Sequence, residues 1–187
     1  MRVIGGKFKG KKLIEPKDKE TRPLKDLTKE SIFNIINHSN KFSINITKAK
    51  VLDLFSGVGS FGIECLSQGA SHVTFIEKYE GVLPILKKNL NNLKSKINYE
   101  IIESDILKKF EFKSLKLRYD IIFLDPPYKE KALANILNSI IENKILEDNG
   151  IIIIHRHKKE IDDFPKNFQF IDEKKYGISK IIFGSYS

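Results

Sequence analysis

One stretch, Val51 to Gly62 (VLDLFSGVGSFG), constrains this chain more than any other. Val51, Leu52, Leu54 and Phe55 make a short apolar run interrupted by Asp53, and three glycines in G-x-G-x-x-G spacing follow. The pattern predicts a buried strand, a tight turn and the start of a helix. Gly57 and Gly59 can take backbone angles that side chains forbid, and Gly62 lets the helix lie close to the strand. Asp53 narrows what such a turn can hold. A pyrophosphate about 5 Å from a carboxylate would lose roughly 3 kcal/mol at an effective dielectric near 20, whereas a cation would gain. S-adenosyl-L-methionine, with its sulfonium and ammonium, suits an acidic turn better than a dinucleotide does. The competing reading is a Gly-rich turn of an ordinary α/β domain, with Asp53 as its cap.

The remaining chain alternates strands and helices. The expected elements are a helix over 24–37, with Leu24, Leu27, Ile32, Ile35 and Ile36 on one side, and a helix over 60–68 ending at Gly69. A strand at 73–76, a helix over 81–93 and a strand at 99–102 follow. Strands at 119–124 and 150–154 enclose a helix over 131–143, and both are apolar enough to be central strands of a parallel sheet covered on two faces. Residues 168–175 and 179–186, around Tyr176-Gly177, suggest an antiparallel hairpin. The fold class is therefore α/β, with a mostly parallel seven-stranded sheet and a small N-terminal extension of hairpin and helix. Residues 1–40 form a basic extension and residues 41–187 the ligand-binding domain.

In such a sheet, ligands lie beyond the carboxyl ends of the strands. Asp53, Glu77, Asp105 and Asp125 all fall at those ends. Glu77, some 20 residues past the glycine turn, is placed to accept ribose hydroxyls, and Asp105 to accept a hydrogen bond from an adenine amino group. Asp125-Pro126-Pro127-Tyr128 is the most specific feature. Two prolines remove backbone donors and hold Asp125 extended, leaving the Asp125 carboxylate and the Pro126 carbonyl as a stiff edge of acceptors. That edge can grip an exocyclic amino group by its two hydrogens and aim the nitrogen lone pair at an electrophile. Tyr128 offers a face for stacking an extruded base, worth about 1–3 kcal/mol against the few kcal/mol that extrusion costs.

Charge points to a polyanionic partner. Of the net +9, +5 lies in the first 30 residues, which hold ten Lys or Arg against five Asp or Glu. Residues 1–23 read equally as a β-hairpin with a cationic face or as a solvated tail. Lys7, Lys9, Lys11, Lys12 and Arg22 are the candidate phosphate contacts. Cys65 is the single cysteine, which excludes an internal disulfide or a multi-cysteine zinc site, and its expected role is core packing. No metal is expected. The chain carries no secretion signal and no apolar run long enough for a membrane span, so a soluble cytoplasmic protein, most simply a monomer, is expected. His155, His157, Lys158 and Lys159 read as a solvated basic strand end rather than a metal or catalytic cluster.

These residues carry a resemblance. VLDLFSGVGSFG with DPPY resembles the class I S-adenosylmethionine-dependent methyltransferases acting on amino groups of nucleobases. The whole chain is similar to the RsmD family of bacterial 16S ribosomal RNA guanine-N2 methyltransferases. The matching segments are Met1 to Gly10, Thr21-Arg22-Pro23, Asp53 to Gly59, Glu77 and Asp125 to Tyr128. The resemblance implies a Rossmann-like fold in which Asp53, Phe55, Gly57, Gly59, Glu77, Lys78, Asp105 and Ile106 bind S-adenosyl-L-methionine. It also implies that Asp125 to Tyr128 hold the guanine, and that the basic arm contacts 16S rRNA in the 30S subunit or an assembly intermediate. Val58, where a small residue is expected, and His155-Arg156-His157, where an acidic residue is expected, depart from the pattern. An adenine-N6 methyltransferase would use the same acceptor edge. A non-catalytic ribosome-assembly factor should have lost a carboxylate or a glycine of the set, and an NAD-dependent dehydrogenase leaves Asp53 and the DPPY turn without a role.

Overall fold

A computed structural model describes residues 1–16, 24–108, 110–127 and 132–186. Its centre is a seven-stranded sheet of β1 (Lys50–Leu54), β2 (His72–Glu77), β3 (Tyr99–Glu103), β4 (Tyr119–Leu124), β5 (Leu146–His157), β6 (Phe168–Tyr176) and β7 (Ser179–Tyr186). The order is β3-β2-β1-β4-β5-β7-β6. The first five strands are mutually parallel, and β7 runs antiparallel to both β5 and β6. The order reverses between β1 and β4, which opens the crevice where such sheets bind ligands. No helix among the described residues is long and apolar enough to cross a membrane.

Alternation along each central strand supplies two apolar faces, as a two-residue period requires. Val51, Phe75, Phe123 and Ile153 point to the face covered by α1 (Asp26–His38), α2 (Ser60–Ser67) and α3 (Leu83–Asn91). Leu52, Leu54, Leu124 and Ile154 point to the face covered by α4 (Leu133–Glu142). Phe61 of α2 stacks on Phe123 of β4 with ring centroids 4.0 Å apart. Gly62 lets α2 lie close to β2, because a Cβ there would lie 2.3 Å from the Phe75 ring. Gly62→Val should therefore destabilise the fold by about 1–3 kcal/mol through overpacking, read as a lower urea midpoint.

The N-terminal segment is neither a full hairpin nor a loose tail. Arg2 and Lys12 meet in one isolated antiparallel bridge, with a 3-10 turn at Gly6–Phe8 between them. Val3, Phe8 and Leu13 enter the same apolar cluster as α2 and α3. Buried polar groups fix the segment: Glu64 accepts the N–H groups of Ile4 (2.8 Å) and Gly5 (2.7 Å), and Ser67 accepts that of Phe8 (2.8 Å). Lys29 lies 3.6 Å from Glu64 and donates to the Arg2 carbonyl at 2.6 Å. Burial lowers the Lys29 pKa, while Glu64 and Asp26 oppose the shift.

Lys29 also explains one error in the helix expected over 24–37. The buried stripe of α1 runs through Lys29, Ile32, Phe33 and Ile36, so Leu27, two positions from Lys29, faces solvent and is 78% exposed. Thr21-Arg22-Pro23, including the candidate phosphate contact Arg22, lies outside the described residues.

Candidate active site

Strand register brings the sequence-separated motifs to one rim. Leu54 pairs with Ile76 and Leu124, Ile76 with Ile102, and Leu124 with Ile154. The next residue on each strand, respectively Phe55, Glu77, Asp125, Glu103 and His155, therefore emerges at the same carboxyl edge. Backbone bonds tie each turn to the neighbouring strand: the Asp125 N–H donates to the Leu54 carbonyl of β1 at 3.4 Å, and the Ser56 N–H to the Ile76 carbonyl of β2 at 3.1 Å.

The glycine turn needs left-handed backbone at Gly57 (φ 54°) and Gly59 (φ 82°), and also at Phe55 (φ 63°). Positive φ is costly for a side chain as large as Phe, and such strain gathers at functional turns. Glu77 braces this turn. Its Oε2 accepts the Gly57 N–H at 2.7 Å, and its Oε1 accepts those of Lys78 and Tyr79, each at 2.8 Å. A carboxylate offers about four lone-pair sites, so one on Oε2 is left for a hydroxyl. Val58 does not intrude: its side chain is buried, and its carbonyl accepts from Asn89 Nδ2 at 3.1 Å. Asn89 also exchanges hydrogen bonds with the Ile14 backbone, at 2.8 and 3.1 Å. The N-terminal segment is thereby tied to the glycine turn, a role for Asn89 that nothing local in the sequence announces.

Asp53 lies beneath the turn, 1% exposed, and its Oδ2 accepts the Gly62 N–H at 3.0 Å. It satisfies one of the donors that the start of α2 leaves open, so it acts on the rim through space rather than from an exposed face. Burial pushes the Asp53 carboxyl well above the ordinary carboxylate range; the Gly62 N–H opposes this, and the charges of Asp125 and Glu77 add to it. The charges of Asp125 and Glu77 thus disfavour an ionised Asp53 where the switch point opens, and a cation placed among the three would favour it.

Asp105 sits beyond β3, with Lys78 Nζ 3.1 Å from its Oδ2 and the Leu107 N–H 3.0 Å from its Oδ1. Partial desolvation pushes its pKa upward, but the Lys78 and Leu107 hydrogen bonds outweigh this and hold it below its ordinary value. Ile106 is buried in the apolar cluster on the α4 side, and Phe55 packs at the edge of the same cluster.

At the other turn Pro126 is buried and Pro127 exposed, while Tyr128 lies outside the described residues. His155 is not part of the solvated strand end expected from sequence, and Arg156 beside it is buried too. β5 continues to His157 because it pairs with β7, His155 opposite Ile181 and Arg156 opposite Lys180. His155, 7% exposed, places Nδ1 2.8 Å from Asp125 Oδ1. Arg156, 1% exposed, donates from Nη1 to the Pro127 carbonyl at 3.1 Å and from Nε to Asp162 at 2.9 Å. The signal available in the sequence was position: polar residues directly after a buried strand, level with Asp125.

Of the candidate phosphate contacts, Lys9 and Lys12 are exposed. Lys7 Nζ bonds Ser95 Oγ at 2.7 Å, and Lys11 Nζ bonds the Asn92 carbonyl at the end of α3. Among the described residues no cluster of three or more His, Cys, Asp or Glu could hold a metal ion.

The sheet order, the glycine turn at its switch point and the Asp-Pro-Pro turn beside it define a Rossmann-like α/β protein of the class I methyltransferase type. The chain belongs to the RsmD family, since the family model described as Conserved hypothetical protein 95 matches residues 1–185. Ribosomal RNA small subunit methyltransferase D of Haemophilus influenzae is 33% identical over 179 residues, covering 95% of this chain and 90% of that protein. The protein of the same name from Escherichia coli K12 is 31% identical over 178 residues, covering 95% and 85%. The solved structure of Escherichia coli yhhF superposes with a TM-score of 0.81 at 28% identity, covering 100% of this chain and 97% of that one. SMU.776, a structure complexed with SAH, shares the fold at a TM-score of 0.66 and 19% identity, over 83% of this chain and 48% of that one.

Proposed function

We infer that this chain transfers a methyl group from S-adenosyl-L-methionine to the exocyclic N2 of a guanine in 16S ribosomal RNA. The observation that carries this reading is the shared rim: a cluster of acids suited to a sulfonium lies one strand away from a proline-braced acceptor edge suited to an amine. The curated relatives are named for methylation of small-subunit ribosomal RNA.

The residues fit the cofactor. Asp125 and Glu77 supply the negative field, a bound cation would favour ionised Asp53 beneath it, the remaining lone-pair site on Glu77 suits a ribose hydroxyl, and Phe55 and Ile106 give an apolar flank near Asp105 and Lys78. When bound, S-adenosyl-L-methionine supplies an electrophilic methyl group and leaves as S-adenosylhomocysteine. The protein's part is positioning and electrostatics. Asp125 Oδ2 and the Pro126 carbonyl accept the two amino hydrogens, which fixes the nitrogen lone pair toward the donor. The Asp125 carboxylate disperses positive charge growing on the nitrogen. Tyr128 stacks the base in this reading, and residues 1–40 grip RNA while residues 41–187 carry the chemistry. The enzyme acts as a monomer in the cytoplasm, on the 30S subunit or an assembly intermediate.

The test is transfer of a labelled methyl group to purified small-subunit RNA and to assembled 30S particles, with the modified position mapped. Label on one guanine N2 supports the reading, label on adenine N6 replaces it with the adenine alternative, and no label on either substrate refutes it. Lys7, Lys9, Lys11 and Lys12 should make RNA binding strongly salt-dependent, with a slope of log K against log salt of about −3 for four contacts to single-stranded RNA. A flat response would remove the arm as the RNA grip.

A further inference from the structure

We propose that His155 is a positioning residue that sets the orientation of the Asp125 carboxylate, with Arg156 fixing the turn behind it. The proposal rests on the methyl-transfer reading for its consequence and on geometry alone for the contact.

Proline creates the need for such a brace. Pro126 and Pro127 have no N–H, so Asp125 supplies the only backbone donor of the Asp125–Pro127 segment. Among the described residues, three outside groups hold it. The Leu54 carbonyl takes the Asp125 N–H at 3.4 Å, His155 Nδ1 meets Asp125 Oδ1 at 2.8 Å, and Arg156 Nη1 reaches the Pro127 carbonyl at 3.1 Å. Asp162 holds Arg156 in turn, with Arg156 Nη2 2.8 Å from Asp162 Oδ1, and Lys180 holds Asp162, with Nζ 3.5 Å from Asp162 Oδ2. Arg156 and Asp162 are both buried, so this support is rigid.

An ionised carboxylate only accepts hydrogen bonds, so the imidazole donates through Nδ1–H. Oδ1 is then occupied and Oδ2 faces the substrate amine. Because Arg156 takes the Pro127 carbonyl, Oδ2 and the Pro126 carbonyl form the acceptor edge. Without His155, the carboxylate can rotate about its terminal torsion, which has a broad energy profile. The amine is then met by an acceptor of uncertain aim. Misplacement of this kind costs rate more than binding. His155 sits inside β5, where it pairs with Ile181 of β7, so its own backbone does not drift.

The experiment compares wild type, His155→Ala and His155→Asn, in which the Asn amide can restore a donor near the Nδ1 position. The His155→Ala protein should lose about tenfold or more in kcat, with KM for RNA and calorimetric affinity for S-adenosyl-L-methionine within about twofold. His155→Asn should recover most of the loss. A purely structural role would lower both variants alike or shift KM and cofactor affinity. Full kcat in His155→Ala overturns the proposal while leaving the methyl-transfer reading intact. Nitrogen-15 spectra of the wild-type imidazole supply a readout independent of turnover: a proton on Nδ1 is expected, and Nδ1 without a proton overturns the brace. If wild type methylates no RNA, the functional reading fails and the spectra alone decide whether the brace exists.

Discussion

Asp125→Ala should lower kcat about 10²–10³-fold while leaving affinity for S-adenosyl-L-methionine within a few-fold. The magnitude is that of removing one fixed group aimed at charge developing in a water-poor site. The split between rate and binding follows from the register. Asp125 belongs to the turn after β4, whereas most groups proposed to hold the cofactor lie at the carboxyl ends of β1, β2 and β3. Asp125 is also one of the charges that raise the Asp53 pKa, so its loss slightly eases Asp53 ionisation and partly preserves the negative field. Single-turnover methylation and calorimetry on the same preparation check both halves. Retained turnover would remove Asp125 from the mechanism.

Glu77→Ala should act on the opposite side of the ledger, weakening cofactor binding with a smaller change in the maximal rate. Its carboxylate holds three backbone N–H groups of the turn and offers one further site. A hydrogen bond to a charged group contributes about 1.5–3 kcal/mol, so losing the ribose contact alone weakens binding about ten- to a hundredfold. The freed N–H groups loosen the backbone that carries Gly57, which adds to the loss. Glu77→Gln keeps an acceptor and should fall between the two. Calorimetric titration measures all three proteins, and unchanged affinity in Glu77→Ala would place the cofactor elsewhere.

Most of the sheet was legible because its signals are local. β4 ends where the apolar run Tyr119–Leu124 meets Asp-Pro, and that boundary could be read to the residue. The rim followed from topology, since each parallel strand delivers its next residue to one edge. What escaped depends on contacts distant in sequence. β5 was expected to stop at Ile154, because nothing in His155-Arg156-His157 is apolar; only pairing with β7 shows that the strand continues. The N-terminal segment was ambiguous for the same reason, as its anchors Glu64, Ser67 and Asn89 lie on helices far along the chain. Apolar periodicity puts Leu27 on the buried side of α1; Lys29 takes that place through Glu64 and the Arg2 carbonyl. Asp53 shows a subtler gap. Its location was read correctly, but whether the carboxylate would face the ligand or cap α2 depended on a hydrogen bond to Gly62 that sequence spacing leaves open.

A crystal structure with S-adenosylhomocysteine bound tests the central claim most directly. The account predicts the ribose beside Glu77 and the sulfur in the crevice between β1 and β4, facing the Asp125–Pro127 turn. A ligand bound away from Glu77, or a sulfur pointing away from that turn, would contradict it.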